Sequence, residues 1–380
     1  MMYCKISKEK KMKYINTRID RLLGQQHFFE YVCPTDWQPP RRGLSEYFEQ
    51  HHFQVGLLYS DYYSQLNGIK SDRYFSSDMY YAGAMPALNR YQFRVAYTDK
   101  NLFYTLFPNA VQPECVVKRM NGVFYSPEGE VLTLQQAISL SRSCAEPCII
   151  KPSIDTHSGQ GVDLFRPKTE DEIKTIFEKY GLNFLVQKSL RQHERLARFN
   201  PTSVNTLRIY TYRKLNGEIV VLSTFVRFGG KGAIKDNVSA GGGISKIGED
   251  GIVGDGIFRL KTLSVGSLRS ERGLSDVLIP NFQEALDLTV KLHASLPYFD
   301  WVGWDIVIRE DGVPVMLEFN VRPFAEGPQM VSGPVFGKYT DEVVERMSKI
   351  KKEKRVFVTT IFERGNEYDA QYGQSMQVEN

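Results

Sequence analysis

The sequence predicts an α+β fold preceded by a helical or mixed N-terminal region. Two observations carry the prediction. Asx–Gly pairs at Asn121-Gly122, Asn216-Gly217 and Asp311-Gly312 sit between β-rich runs, the mark of hairpins and so of antiparallel sheet. Stretches at 133–143, 169–180 and 281–296 alternate with these hairpins and space their apolar residues as helices do.

Residues 1–21 hold seven Lys/Arg against Glu9 and Asp20. They read as a solvated helix face, with contact to an anionic membrane or acidic partner as the second reading. Residues 22–95 are rich in Tyr, Phe and Gln without a clean period. Tyr62, Tyr63, Tyr80 and Tyr81 either line a binding surface or pack in a core. From about residue 96 the pattern clears. A short helix follows Asp99, which caps it together with or in place of Thr98. Hairpin turns fall at Asn121-Gly122 and Glu128-Gly129. Strands are expected at 147–152, 162–165, 184–187, 207–212 and 219–228, and a further helix near 336–352. Glycine-rich loops are expected at 153–161 and 229–243, and residues 364–380 are polar and read as frayed.

Trp301 to Phe324 reads as a hairpin around a two-residue type I′ turn at Asp311-Gly312. Counting outward puts Trp304 opposite Phe319, Ile306 opposite Leu317 and Ile308 opposite Val315. The other face then pairs Val307 with Met316, Asp305 with Glu318 and Gly303 with Asn320. Like charges directly across a ladder repel. A cation between them resolves this, and Mg²⁺ suits such oxygen ligands; carboxylates splayed into water are the alternative.

The chain has 380 residues, enough for two or three domains, with 42% hydrophobic and 24% charged residues. A net charge of +4 and the absence of a basic–aromatic motif argue against nucleic acid as a partner. Five cysteines without framework spacing read as free thiols. No apolar run reaches the roughly 18 residues of a membrane span, and the N-terminus lacks a signal-peptide core. A cytoplasmic location is expected.

Lys151 ends a strand beside a loop in which Gly159 and Gly161 let backbone N–H groups approach an anion. Asn237 to Gly243, preceded by Lys231 and Lys235, spends three consecutive glycines on a second such loop. Arg208 on a half-buried strand needs phosphate, carboxylate or a structural ion-pair partner. Glu194 could accept from a ribose diol or be a surface glutamate. His157 and His193 are the histidines to weigh as catalytic bases; His157, in the first glycine loop, reads as a substrate contact or at least as readily as a solvated side chain. No Gly-x-Ser-x-Gly elbow is present.

This ordered set, from Lys100 through Asp305, Glu318 and Asn320, resembles the ATP-grasp superfamily. The resemblance is to the branch associated with sugar transfer and cell-surface polysaccharide genes, over about residues 96–345. Its most specific pieces are Phe199 to Arg208, Asp236 to Gly242, Gly303-Trp-Asp305 and Glu318-Phe-Asn320. The resemblance implies two α+β subdomains clasping ATP: a small or lid subdomain at 96–187 and a large one with the metal site at 188–352. Residues 1–95 form the N-terminal region and 353–380 a tail.

It further implies that Lys100 and Lys151 hold α- and β-phosphates. Gln187, Lys188 and Leu190 belong to the hinge that reads adenine, and Glu194 binds ribose. Gly159, Gly161, Asn237, Gly241 and Gly242 face the phosphates, and Asp305, Glu318 and Asn320 hold Mg²⁺ or Mn²⁺. Many amino-acid ligases of the superfamily carry an arginine where this chain has Gly303; Arg208, Lys235 and Arg322 are the catalytic replacements. The implied reaction is ADP-forming joining of a small carboxylate to an amine through an acylphosphate. Alternatives are transfer of the γ-phosphate to a hydroxyl, or a non-catalytic nucleotide-binding module. Residues 1–95 are expected to supply acceptor specificity or an oligomer contact, in the simplest case a homodimer.

Overall fold

A computed structural model describes residues 43–154, 156, 160–167, 169–230, 242–259 and 264–352. Helix α1 (Leu57–Asn67) ends on the left-handed Gly68. A second helical stretch runs from Ser77 to Leu88 and widens to a π turn at Tyr80–Ala84. Asp99 caps the short helical segment at Lys100–Leu102 by accepting from Asn101 N–H.

The first sheet has six antiparallel strands: β1 (Cys115–Met120), β2 (Val123–Tyr125), β3 (Val131–Leu132), β4 (Cys148–Pro152), β5 (Asp163–Phe165) and β6 (Phe184–Lys188), in the order β3-β2-β1-β6-β4-β5. Asn121 and Gly122 both take positive φ, the two-residue turn their identities predict. Helices α2 (Leu134–Ser143) and α3 (Glu170–Tyr180) each start at a capping box, Thr133 with Gln136 and Thr169 with Glu172. They cover one sheet face through a core that includes Ile138, Ile150, Phe177 and Phe184. The opposite face carries Lys118, Leu185 and Lys151 in one cross-strand row, and Cys115, Gln187 and Ile149 in the next.

The second sheet runs β12-β11-β9-β8-β7-β14-β15. Its strands are β7 (Thr206–Arg213), β8 (Ile219–Phe228), β9 (Gly243–Lys246), β11 (Gly256–Arg259), β12 (Ser264–Ser267), β14 (Trp301–Ile308) and β15 (Pro314–Asn320); β10 (Ile252–Val253) and β13 (Val277–Leu278) pair separately. Helix α4 (Phe282–His293) covers one face, meeting Val302, Trp304, Ile306 and Ile308. On that face Thr211 Oγ1 accepts from Trp304 Nε1 at 2.8 Å and meets His293 Nδ1 at 2.7 Å, while His293 Nε2 reaches the Phe299 carbonyl at 2.8 Å. Burial pushes the His293 imidazole down to about 3, so it is neutral and structural.

The other face packs against the N-terminal helices, α5 (Glu326–Ser332) and α6 (Thr340–Lys352). Tyr62, Tyr63 and Tyr80 are buried in this core with Tyr210, Trp301 and Phe336, so three of the four tyrosines left open by the sequence are packing residues. Tyr80 also ties two regions together. Its hydroxyl donates to the Pro323 carbonyl at 2.6 Å and accepts from Trp301 Nε1 at 2.8 Å.

The β14–β15 hairpin corrects the expected turn. Only Gly312 takes positive φ, and Arg309 N–H donates to the Val313 carbonyl at 2.9 Å, so the loop has three residues, Glu310-Asp311-Gly312. Ile308 therefore pairs with Pro314, Val307 with Val315 and Ile306 with Met316, each one residue off the expected partner. A bulge between Asp305 and Ile306 leaves Leu317 over and restores the register. Asp305 then faces Glu318, Trp304 faces Phe319 and Gly303 faces Asn320, as the residue pattern predicts.

Candidate active site

Asp305, Arg208 and Arg227 form the most buried charged group on the second sheet. Arg208 lies directly across from Asp305 on β7. Its Nε donates to Asp305 Oδ1 at 2.5 Å and its Nη2 to Oδ2 at 3.0 Å, the fork geometry of a bidentate pair. Arg227, one strand further on β8, reaches both Asp305 oxygens with Nη1 at 3.2 Å. Burial pushes the Asp305 carboxyl up, but the two guanidinium charges and their hydrogen bonds outweigh it and hold it below the ordinary range. Asp305 is 8% exposed and Arg208 5%.

Glu318, across from Asp305, faces a different cation. Lys100 Nζ lies 3.7 Å from Glu318 Oε1 and donates to Thr156 Oγ1 at 3.4 Å, while its backbone N–H donates to the Ser153 carbonyl at 3.0 Å. Lys151, from the first sheet, is pushed down to about 8 by burial and by the charge of Lys100, against the pull of Glu318. The cation that the Asp305–Glu318 pairing demands is thus supplied by arginines on one carboxylate and lysine on the other. Four cationic heads, Lys100, Lys151, Arg208 and Arg227, gather around two carboxylates. The excess positive charge, half-enclosed between two sheets, suits a polyanion.

Gly303 sits where β14 passes close to Pro323. A Cβ there would stand 2.9 Å from Pro323 Cβ, while Arg208 Cδ, at 3.6 Å, would be in ordinary contact. Arg322, two residues past Asn320, lies with its guanidinium 5.1 Å from the Tyr81 ring centre and 5.7 Å from that of Tyr91, a cation–π placement supplied by the N-terminal region.

The residues expected to form a hinge lie at the end of β6 and just beyond it. Gln187 is buried; its Nε2 donates to Tyr104 Oη, and among the described residues its buried Oε1 has no hydrogen-bond partner. Glu114 at 2.6 Å and Glu146 at 2.9 Å hold the Lys188 ammonium. Its N–H donates to the Glu114 carbonyl at 2.9 Å, and Ser189 N–H donates to the Pro147 carbonyl at 2.7 Å. Leu190 follows, half-buried, and Glu194 is exposed at the start of the short helix Glu194–Ala197. Phe199 to Asn205 is a positioning knot. Asn205 donates to Gln192 Oε1 at 2.9 Å, the Leu196 carbonyl at 2.8 Å and the Asn200 carbonyl at 2.9 Å, which fixes the entry to β7 and so to Arg208.

Gly161 follows β4 in the left-handed region. Gly242 is required by close approach, since a Cβ would fall 2.2 Å from the Phe228 carbonyl oxygen. Gly159, Lys235, Asn237 and Gly241 lie outside the described residues, as does His157.

Sequence reasoning missed Arg227 and Thr156. The signal for Arg227 was present: β8 alternation puts it on the face of Phe225, and its partner Thr206 shares the face of Arg208. Among the described residues, no three His, Cys, Asp or Glu side chains gather as a metal cluster. Among the described residues expected to hold a cation, Glu318 and Asn320, both half-buried, keep oxygen lone pairs for it, because those of Asp305 are taken by four charge-assisted hydrogen bonds. Such hard oxygen donors, few in number and beside a phosphate-like site, fit a divalent cation that draws its remaining ligands from phosphate and water.

Comparison with known proteins gives the fold the same identity. Residues 84–345 match the family described as sugar-transfer associated ATP-grasp. The solved structures it resembles include the ATP-grasp ligase PsnB complexed with minimal precursor, Mg and ADP, at 14% identity and a TM-score of 0.39, covering 66% of this chain and 59% of that one. Another is the biotin carboxylase domain of 2-oxoglutarate carboxylase from Hydrogenobacter thermophilus, at 13% identity and a TM-score of 0.41, covering 74% and 50%. A third is purK, an N5-carboxyaminoimidazole ribonucleotide synthetase in complex with ADP, at 13% identity and a TM-score of 0.35, covering 60% and 46%. The chain thus spans about half of the length of the solved proteins it matches, and the likeness is one of fold. None of the curated proteins matches significantly. Among the described residues no helix is long and apolar enough to cross a membrane. By its match over residues 84–345, the chain belongs to the sugar-transfer associated ATP-grasp family.

Proposed function

We propose that the chain is an ATP-dependent carboxylate–amine ligase, ADP-forming, acting in cell-surface polysaccharide or related sugar and amino-acid conjugate biosynthesis. The observation that carries this reading is the gathering of Lys100, Lys151, Arg208 and Arg227 around Asp305 and Glu318. Lys100 and Lys151 hold the inner phosphates. Arg208 and Arg227 turn from Asp305 to the γ-phosphate as it arrives, exchanging one anion for another at little cost in charge. Asp305, Glu318 and Asn320 would be the residues to hold Mg²⁺ or Mn²⁺. A divalent cation bound there neutralises charge on the phosphoryl group in transfer.

A carboxylate oxygen of the substrate attacks the γ-phosphorus, giving an acylphosphate and ADP. The amine then attacks the carbonyl carbon, the bond from that carbon to the phosphate oxygen breaks, and the phosphate leaves carrying the amine's proton. Arg208 occupies the space beside Gly303 and stabilises the oxyanion of that second step, and Arg322 in its tyrosine cage takes acceptor charge. No side-chain nucleophile takes part. Gln187 and Leu190 hold the adenine, Glu194 the ribose, and Gly161 and Gly242 border the phosphates; Lys188 serves by anchoring the hinge rather than touching nucleotide.

The test is ADP release with Mg²⁺ over pools of carboxylates and amines, with mass spectrometry of the product. An amide plus free phosphate supports the ligase. A phosphorylated alcohol contradicts it in favour of phosphotransfer, and ATP binding without ADP in any pool contradicts it in favour of a binding module.

A further inference from the structure

Cys144 and Cys148 stand apart from the phosphate site, yet they bracket the segment that holds the hinge. Helix α2 ends at Ser143 with Cys144 as its cap, and β4 begins at Cys148, leaving a link of Ala145, Glu146 and Pro147. The two sulfurs lie 3.0 Å apart. A disulfide bond is about 2.05 Å long, so closure needs a shift of about one ångström. Cys148 is 2% exposed and Cys144 half-exposed, while Cys115, the third described cysteine, is buried. Both thiols point at the Glu146 carbonyl, at 3.7 Å from Cys144 and 3.4 Å from Cys148. The same link makes two contacts to the hinge: Glu146 Oε1 to Lys188 Nζ at 2.9 Å, and the Pro147 carbonyl to Ser189 N–H at 2.7 Å.

We propose that Cys144 and Cys148 are a redox-modification site: a dithiol that closes to a reversible disulfide under peroxide and thereby loosens the Lys188–Ser189 hinge. The coupling to nucleotide rests on the proposed role of residues 187–190. The half-exposed Cys144 thiolate attacks the peroxide O–O bond, forming a sulfenic acid and releasing water. The Cys148 sulfur then attacks the Cys144 sulfur. The S–S bond forms, the S–O bond breaks, and the leaving hydroxide departs as water with the Cys148 proton. Two thiols lose two electrons and two protons, and hydrogen peroxide accepts both to end as two waters. Closure removes both S–H donors from the Glu146 carbonyl. The link that carries Glu146 and Pro147 then re-forms around the new bond, and its two contacts to the hinge change with it.

The experiment uses the full chain treated with stoichiometric hydrogen peroxide, then alkylated, digested and mapped by mass spectrometry, with ADP titration calorimetry on reduced and oxidised samples. The expected map shows one Cys144–Cys148 disulfide, reversed by dithiothreitol. It is lost in Cys144→Ser, and in Cys148→Ser it gives way to a dimedone-trapped sulfenic acid at Cys144. Oxidised wild type binds ADP several-fold more weakly, and both serine variants keep their affinity under peroxide. Full alkylation of both cysteines after treatment, or pairing with another cysteine, overturns the site. A mapped disulfide with unchanged ADP affinity overturns the coupling. If the reduced protein binds no ADP, the nucleotide reading fails, while the peptide map still decides the dithiol.

Discussion

Replacing Asp305 with asparagine keeps the shape of the side chain and removes the charge that two arginines share. Four hydrogen bonds from Arg208 and Arg227 end on its two oxygens at 2.5 to 3.2 Å. Side-chain exposures are 6% for Arg208, 13% for Arg227 and 11% for Asp305, so water screens the pair weakly. Removing one partner of a buried pair costs about 3–5 kcal/mol. Arg227 can draw partly on solvent, which places Asp305→Asn at the lower end, about 3 kcal/mol. Against a total stability of roughly 5–15 kcal/mol, that is a large loss. Urea denaturation of the ligand-free protein measures it as a lower midpoint at constant slope. Added ATP or tripolyphosphate should restore part of the loss, because phosphate oxygens replace the missing carboxylate. A loss below about 1 kcal/mol, the range of a surface pair, would refute the reasoning: the guanidinium groups would then be solvated without Asp305.

Two further outcomes follow from the packing. His293 is neutral in the fold, pushed down to about 3 by burial, whereas an unfolded histidine titrates at about 6.5. Its stabilisation is complete above about pH 6.5 and is lost as pH falls toward 3, at up to about 1.4 kcal/mol per unit; His293→Gln should lack this slope between pH 7 and 5, and parallel slopes for the two proteins would contradict the assignment. Gly303→Ala forces a Cβ to within 2.9 Å of Pro323 Cβ. It should cost about 1–3 kcal/mol, as overpacking does, and push Pro323 away; an unchanged melting temperature would show that the strand has slack there.

Much of the sheet architecture was legible because hairpins advertise themselves. Asn121-Gly122 adopts the turn its residues favour, and the capping boxes at Thr133 and Thr169 start their helices where the pattern puts them. The Asp311-Gly312 loop shows the limit. A DG pair serves both two- and three-residue loops, and the backbone chose the longer one with Gly312 alone at positive φ. The Leu317 bulge then cancelled the slip, so Asp305 and Glu318 still face each other. The N-terminal region was opaque for a physical reason. Its helices are short, one is interrupted by the π turn at Tyr80–Ala84, and they meet the second sheet and α6 through scattered aromatics, leaving no single apolar stripe. The destination of Arg208 was not legible either, since phosphate, carboxylate and ion pair all satisfy a guanidinium. Only the strand register brought Asp305 opposite it and Arg227 beside it.

The central claim is that the cations between the two sheets form a nucleotide phosphate site. Titration calorimetry of Mg²⁺-ATP into wild type, Lys100→Met and Lys151→Met tests it most directly. Methionine keeps the packing of the stem and removes the charge. Because burial and Lys100 already disfavour the Lys151 charge, Lys151→Met should leave the ligand-free protein at least as stable as wild type. The predicted result is a loss of ATP affinity of at least about tenfold in each variant, equivalent to about 1.4 kcal/mol, with no loss of fold. Wild-type affinity in both variants would contradict the account.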